Sequence, residues 1–597
     1  MVDISRDARW GRVMEGAGED SYLGSLVAKA RVRGFQGNDL NDINTIVACA
    51  KHFAGYGFSE AGRDYNTTDF NQFTLHNTIM PPFKAAVDAG VRTFMNSFNT
   101  LDEIPATGHK HIQRNILKGD WGFDGFIVSD WGSIEQMIPH GFARDGNHAA
   151  ELAVIAGSDM DMESSLYVSE LVGLVKSGKV NIELIDDAVR RILRVKYELG
   201  LFDDPYKYCN IDRSNNELAS DENMKVALEA AKKSIVLLKN NNQLLPLEKQ
   251  GEKIAIIGPL ANDKNSPLGN WRSQAVYNSA SSVLEGMKNY NQNKLVFEKG
   301  VDLYYGKTNF HNRVKLNFDD RTGFDKAKLA AENSDIVIMV LGEEGNQSGE
   351  GRSRTNIGLP GLQLELLKEI YKINQNIVLV VMSGRPLDLT WADKNIPAII
   401  QAWHLGSKSG EAIAEVLYGD YNPSGKLTMS FPRNVGQVPI YYNFKNTGRP
   451  STSIEQVTNS GYADVVNSPL YSFGYGLSYT NFKYSNLSID NDKLDYNSKI
   501  NISIDIENTG FYTGKEVVQL YLRDIVGSIA RPMKELKGFK IIELSPGESQ
   551  TVNFEIESSL LEFYTFNNKW EAENGKFHAF IGSNSDVVDY KEFYLVD

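Results

Sequence analysis

Cysteine is nearly absent. Cys49 and Cys209 are the only two in 597 residues, so no disulfide framework holds this chain together. Cys49, in TIVACAKHF, reads as a small core residue. Long apolar runs are missing as well, and without ~18 consecutive apolar residues no helix spans a membrane. Positive charge is in short supply: a net charge of −14 makes nucleic acid and anionic membranes poor partners and suits a neutral substrate. No GxxxxGK[ST], HExxH or CxxC pair occurs, so nothing demands a nucleotide phosphate, zinc or iron. The glycines of residues 345–351 lack the GxGxxG spacing of a dinucleotide turn. Asp159 and Asp161 in SDMDM are two acids alone, a weak basis for a cation site. Neither a metal nor a cofactor is expected. No signal peptide opens the chain, and MVDIS already reads as the end of a strand. The expectation drawn from this is that the front of the first domain lies outside this sequence.

What is present fits a folded, water-facing protein: 42% hydrophobic and 23% charged residues. The length exceeds one core and suggests about three or four domains. Aromatics make up 10%, with 27 Tyr, and gather in loop-like stretches. That pattern suits stacking on flat apolar faces and equally suits a plain β-sandwich core.

Residues 1–210 alternate strand-like and helix-like segments. Strands are expected at 45–50 (TIVACA), 91–95 (VRTFM) and 126–128 (FIV), helices at 70–90, 110–119 and 181–200, and an acidic strand end at 153–162. Alternation of this kind predicts a parallel sheet. Polar residues follow the strand ends, at Lys51-His52, Asn96-Ser97, Asp130-Trp131 and Asp159 to Asp161. That convergence predicts an α/β barrel with its site on the C-terminal face. A full barrel takes ~250 residues and eight units, of which about five or six are legible. Residues 211–445 read as a second α/β region, an open doubly wound sandwich. It opens on a helix at 224–239 and has strands at 253–259, 295–298, 335–342, 377–382 and 398–402. Its longest irregular insert, EEGNQSGEGRSRTNIGLP (343–360), directly follows a strand, where such sheets bind ligands. Residues 446–470 are polar and aperiodic, a linker or surface loop. From 471 to 597, short alternating stretches separated by NTG and SPG turns predict a β-sandwich of the immunoglobulin or fibronectin type III kind.

The stretch 122–133, GFDGFIVSDWGS, concentrates the chemistry. The apolar run FIV reads as a strand buried on both faces. It ends on Asp130, beside Trp131. A carboxylate there suits catalysis on a barrel rim, and it equally suits an N-cap for the following helix. The second carboxylate that stands out is Glu350, in the exposed insert, followed by Arg352 and Arg354. It reads either as a solvated charge or as one of the pair a glycoside hydrolase uses. In a retaining enzyme one carboxylate attacks the anomeric carbon while the other protonates the leaving oxygen and then deprotonates water. The two groups then lie ~5–5.5 Å apart, against ~6.5–9.5 Å for inversion.

Ten motifs in order carry a resemblance. They are RDARWGRVMEGAGED (6–20), KHFAGYG (51–57), GRDYNTTD (62–69), GFIVSDWGS (125–133), AGSDMDM (156–162), GEGRSRTNIGLP (349–360), SGRPLDL (383–389), AWHLGSKSGEAIAEVLYGDYNPSGKL (402–427), YSFGYGLSYT (471–480) and RPMKELKGF (531–539). With them the chain resembles glycoside hydrolase family 3, in particular bacterial β-glucosidases of the periplasmic type. The resemblance implies a (β/α)8-type barrel incomplete at its N-terminus, an α/β sandwich and a fibronectin type III-like domain. It makes Asp130 the nucleophile and Glu350 the acid/base. It assigns Arg12, Lys51, His52 and Arg63 to the hydroxyls of the terminal sugar, with Met95 packing near that sugar and Trp131 as a platform. The donor chemistry of these side chains suits hydroxyl binding, and their positive charge would keep Asp130 ionised.

Two departures stand out. Phe98 occupies a place where many members have Tyr, leaving Ser97 as the alternative donor to the nucleophile. The AGYG after KHF lacks the Asp-Ser-His type tripeptide of the N-acetylhexosaminidase branch. The resemblance also implies further βα units ahead of RDARWGR, and an incomplete barrel exposes strand edges and core.

The reading is an exo-acting retaining β-glycosidase of terminal β-D-glucosyl residues, acting on β-linked oligosaccharides or glucosides, with periplasm or cell exterior as its place. β-Xylosidase and broad exo-β-glucanase activities share the scaffold. The rival from another class is a catalytically inactive carbohydrate-binding fragment. The last domain is assigned a packing role, for want of an obvious exposed aromatic row.

Overall fold

The computed structural model describes residues 1–597 except Ser273, Asn291 and Thr452. It divides into two compact units, Met1–Trp10 with Glu15–Asn216, and Gly11–Met14 with Glu217–Asp597.

The first unit is built on parallel strands in chain order: β1 (Cys49–Phe53), β2 (Thr93–Asn96) and β3 (Phe126–Val128). Met95 pairs with Val128 across β2 and β3, and Met160 bridges Val128 in parallel on the far side. On the near side, the Val2 N–H donates to the Lys51 carbonyl at 2.9 Å, so MVDIS lies alongside β1. Phe53 meets Phe83 and Phe94 edge-on at 5.2 and 5.4 Å, which locks β1, β2 and the intervening helix together. That helix ends in Met80–Asp88, and Pro82 has no N–H to give the Thr78 carbonyl. The Ser21 hydroxyl donates to that carbonyl at 2.7 Å instead. Gly125 opens β3 so close to its neighbour that a Cβ there would lie 2.1 Å from the Arg92 carbonyl oxygen.

Two expectations shift here. The first strand covers Cys49–Phe53 rather than 45–50, because its ladder with β2 begins at Cys49–Thr93 while Ile46 is exposed. Residues 153–156 complete the helix Gly146–Ala156, and only Met160 of the expected strand end pairs.

The second unit begins with a six-stranded sheet: β4 (Val236–Asn240), β5 (Gln250–Ile257), β6 (Gln292–Glu298), β7 (Ile336–Gly342), β8 (Ile377–Met382) and β9 (Ala398–Gln401). The order is β4-β9-β8-β7-β5-β6, parallel except for β4. β7, β8 and β9 are buried throughout, because helices cover both faces. Ile254, Ile256, Ile338 and Val340 pack on one face, and Ala255, Ile257, Val337 and Met339 on the other. The helix expected at 224–239 stops at Ser234. Residues 236–240 (VLLKN) instead pair antiparallel with β9, their apolar run serving a sheet edge.

Residues 446–470 carry no helix or strand among those described. The chain then forms an antiparallel sandwich. Three strands, Phe482–Ile489, Lys499–Asn508 and Ser549–Glu557, face a five-stranded sheet that includes Gly514–Asp524 and Gly575–Gly582. Alternation in KINISIDIEN turns Ile500, Ile502, Ile504 and Ile506 into the core. On the last strand of the sandwich Tyr590 and Tyr594 are 44% and 41% exposed on either side of Glu592, and Tyr590 stacks on His578 at 3.9 Å.

Candidate active site

Asp130 lies two residues beyond β3, with 8% of its surface exposed. Its Oδ1 accepts the Trp131 N–H at 2.7 Å, and its Oδ2 lies 3.6 Å from His52 Nε2. The N-cap alternative fails, because the Gly132 N–H donates to the Met162 carbonyl and the Ser133 N–H to the backbone carbonyl of Asp130, and the short turn that follows is capped by Ile134. His52 is fully buried at the end of β1. Its other ring nitrogen, Nδ1, lies 3.2 Å from Asp3 Oδ2, which also accepts the His52 backbone N–H at 2.7 Å. The imidazole is therefore held from one side by Asp3 and presents Nε2 towards Asp130. Tyr56 packs its ring edge-on to the imidazole at 5.2 Å and to Trp10 at 5.1 Å, closing the apolar side. The Lys51–His52 and Phe53–Ala54 peptide bonds are cis.

β3 is itself pinned from below. Asp159 accepts the Ile127 N–H at 2.8 Å and both carboxylate oxygens accept from Lys118 Nζ, at 2.6 and 2.8 Å. Asp161 accepts from the Ser164 hydroxyl and the Tyr167 N–H. The two acids of SDMDM thus have separate structural partners. Among the described residues no group of three His, Cys, Asp or Glu could hold a metal ion.

Of the residues assigned to sugar binding, Lys51 lies mid-way along β1, His52 and Met95 lie next to last in β1 and β2, and Trp131 follows Asp130 just beyond the end of β3. Trp131 is 62% exposed, an open aromatic face beside the carboxylate. Arg63 is exposed at the end of a short turn whose neighbour Asp64 accepts from Trp10 Nε1 at 3.0 Å. Ser97 does not take the place of the missing tyrosine hydroxyl: its Oγ donates to the Ala54 carbonyl at 3.3 Å. Phe98 packs on Tyr56 and Tyr65, at 5.9 and 5.1 Å between ring centroids.

Arg12 and Glu350 belong to the second unit. Arg12 is buried, with Nη1 3.6 Å from Glu350 Oε1 and its guanidinium 5.8 Å from the Trp271 ring centroid. The structure thus places Arg12 with the second carboxylate. The loop bearing Glu350 follows β7. Gly349 has φ +102°, and a Cβ there would meet Asn270 Oδ1 at 2.3 Å, so only glycine lets the loop pass. Its N–H donates to the Gly11 carbonyl at 2.7 Å. Arg354 reaches back to Glu343 Oε1 at 2.5 Å, while Arg352 donates to the Phe310 carbonyl.

A cavity of about 1170 Å³ opens beyond the C-terminal ends of β5, β6 and β7, lined among others by Trp271, Phe310, Tyr304, Asp263 and Glu344. β5 lies between β6 and β7, so this is where the winding of the sheet reverses, the usual ligand crevice of such folds. Trp271 and Phe310 stand 5.3 Å apart at its mouth.

Sequence reasoning missed Asp3, Trp271, Glu343 and Arg385. Asp3 was legible only as a polar residue in a strand-like end. Arg385 lay inside a motif, SGRPLDL, to which no role was given.

Residues 1–195 match the Glycosyl hydrolase family 3 N terminal domain, residues 235–479 the Glycosyl hydrolase family 3 C-terminal domain and residues 516–585 a Fibronectin type III-like domain. The chain is 42% identical to the periplasmic beta-glucosidase of Salmonella typhimurium, over 100% of this chain and 80% of that protein. It is 38% identical to a beta-xylosidase of Formosa agariphila, over 99% and 81% of the two chains. A mutant beta-glucosidase from Listeria innocua, solved in complex with laminaribiose, superposes with TM-score 0.93 at 38% identity, covering 100% of this chain and 81% of that one. With both of its catalytic-family domains and a fibronectin-like third domain matched in order, this chain is a glycoside hydrolase and belongs to family 3.

Proposed function

We propose that the chain is an exo-acting, retaining β-glucosidase that releases terminal β-D-glucosyl residues from the non-reducing ends of small β-glucans or glucosides. The observation that carries the reading is Asp130, a carboxylate at a barrel strand tip with one oxygen taken by a backbone N–H and the other facing a histidine fixed from behind by Asp3. In the first step Asp130 attacks the anomeric carbon as the glycosidic bond breaks, and protonated Glu350 gives its proton to the departing oxygen. In the second, the Glu350 carboxylate takes a proton from water, whose oxygen attacks the same carbon, and the ester bond to Asp130 breaks. Lys51 and Arg63 offer donors to the sugar hydroxyls, His52 offers a donor or an acceptor, Met95 and Trp131 offer apolar contact, and Arg12, with Nη1 3.6 Å from its Oε1, helps to place Glu350. The aromatic pair Trp271 and Phe310 suits the leaving-group side, because Arg12 lies against both Glu350 and Trp271.

A second reading, β-xylosidase, is favoured by the Formosa relative. Comparing kcat/KM for a p-nitrophenyl β-glucoside and the matching β-xyloside separates the two. A ratio well above one supports the glucosidase, and a ratio below one replaces it. For location, the periplasm is proposed on the name of the Salmonella relative. No helix among the described residues is long and apolar enough to cross a membrane.

A further inference from the structure

The loop that carries Glu350 has no secondary structure around that residue, yet an acid/base must be held to within a fraction of an ångström. Its anchor lies on two adjacent strand ends. β7 and β8 pair in register up to Gly342 and Met382, so Glu343 after β7 comes beside the Ser383-Gly384-Arg385 turn after β8. Both Glu343 and Arg385 are fully buried. Arg385 Nε faces Glu343 Oε1 at 3.0 Å. Its Nη2 donates to the Gln347 carbonyl and to the Arg352 carbonyl, each at 2.7 Å. Those two carbonyls stand on either side of Glu350 in the chain. Glu343 completes the bracket by accepting from the Ser348 hydroxyl, Arg354 and the Gly384 N–H. Burial alone would raise its carboxyl, but the guanidiniums of Arg385 and Arg354 outweigh that and hold it below its ordinary value.

The geometry points to Arg385 as a positioning residue of the reaction: one guanidinium, oriented by Glu343, ties both ends of the segment 347–352 and so fixes where Glu350 delivers its proton. A planar guanidinium is what the task needs, since a lysine could supply the charge but not the fixed plane that directs Nη2 to two carbonyls while Nε faces Glu343. This inference rests on Glu350 being the acid/base.

The test uses the full chain. Arg385→Lys, Arg385→Met and Glu350→Ala are assayed on aryl β-glucosides whose leaving groups run from 2,4-dinitrophenol to phenol. Arg385→Lys keeps a cation beside Glu343, so it preserves the fold if Arg385→Met does not. Departure of dinitrophenolate needs no proton, whereas phenolate needs one. Acid catalysis is worth ~10²–10⁴-fold. Arg385→Lys should therefore lose at least about tenfold in kcat/KM on the phenyl substrate and under about threefold on the dinitrophenyl one. On the phenyl substrate its pH profile should show a weakened or displaced alkaline limb, whereas Glu350→Ala should lose that limb altogether. An equal loss on every substrate would mean a merely structural role and would overturn the proposal. If Glu350→Ala is steep across the series and Arg385→Lys is flat, the positioning role alone is wrong. If Glu350→Ala is itself flat, the acid/base assignment falls and the positioning role falls with it.

Discussion

Lys118→Met is predicted to cost the first unit much of its stability although it touches no sugar. The ammonium makes three contacts, with both oxygens of Asp159 at 2.6 and 2.8 Å and with the Gly157 carbonyl at 2.8 Å. Side-chain exposure is 5% for Lys118 and 1% for Asp159, so solvent cannot replace what is lost. Burial pulls the Lys118 ammonium down to about 8, against the opposing pull of Asp159, which still leaves it charged at neutral pH. Removing one partner of such a pair strands the other charge and costs ~3–5 kcal/mol. For a unit of this size 1 kcal/mol moves Tm by ~2–4 °C, so a fall of roughly 6–20 °C is expected by calorimetry. Lys118→Met with Asp159→Asn should recover part of it, since no buried charge is then left alone. Because Asp159 also holds the Ile127 N–H, three residues before Asp130, kcat should drop in the single variant at temperatures where it is still folded. A fall under about 2 °C, or a double variant worse than the single one, would refute this reasoning.

Other outcomes follow from the same contacts. Asp3→Asn should leave the fold intact and lower kcat/KM by about 10–100-fold, the worth of a charge-assisted hydrogen bond that orients His52, read by steady-state kinetics on an aryl β-glucoside. Glu343 has its carboxyl lowered from the ordinary 4.5. The stability this contributes is fully present above 4.5 and is lost as pH falls through the lower native value. Denaturation across pH 3–7 should therefore show Glu343→Gln destabilised at neutral pH, with the gap to wild type closing on acidification. Trp131→Ala should raise KM by about 2–10-fold with Tm unchanged, since the ring is exposed and its contribution is contact with sugar.

Much of the architecture was legible because burial on both faces leaves continuous apolar runs. IVLVVM reads as a central parallel strand, and residues 377–382 form one. KINISIDIEN alternates, and its isoleucines point into the sandwich. The edge strand at Val236–Asn240 was not legible: it follows a helix without a break, and only pairing with β9 tells VLLKN from a further helical turn. At the candidate site Asp130 stood out as a charge ending an apolar run. His52 stood out with it, as a polar residue at a converging strand end, but Asp3, which fixes that imidazole from behind, did not. Asp3, His52 and Asp130 are far apart in the chain and meet only because MVDIS, β1 and β3 end on one rim. Arg385 was invisible for the same reason, since its partners are the carbonyls of a loop more than thirty residues away.

The most direct test of the central claim is to trap the glycosyl ester. A 2-deoxy-2-fluoro-β-glucoside with an activated leaving group forms the intermediate and slows its hydrolysis. Mass spectrometry of the digested protein then locates the adduct. The account predicts one sugar per chain, on the peptide containing Asp130, and none in Asp130→Asn. An adduct on any other carboxylate, or an enzyme that turns over substrate fully while never being labelled, would contradict it.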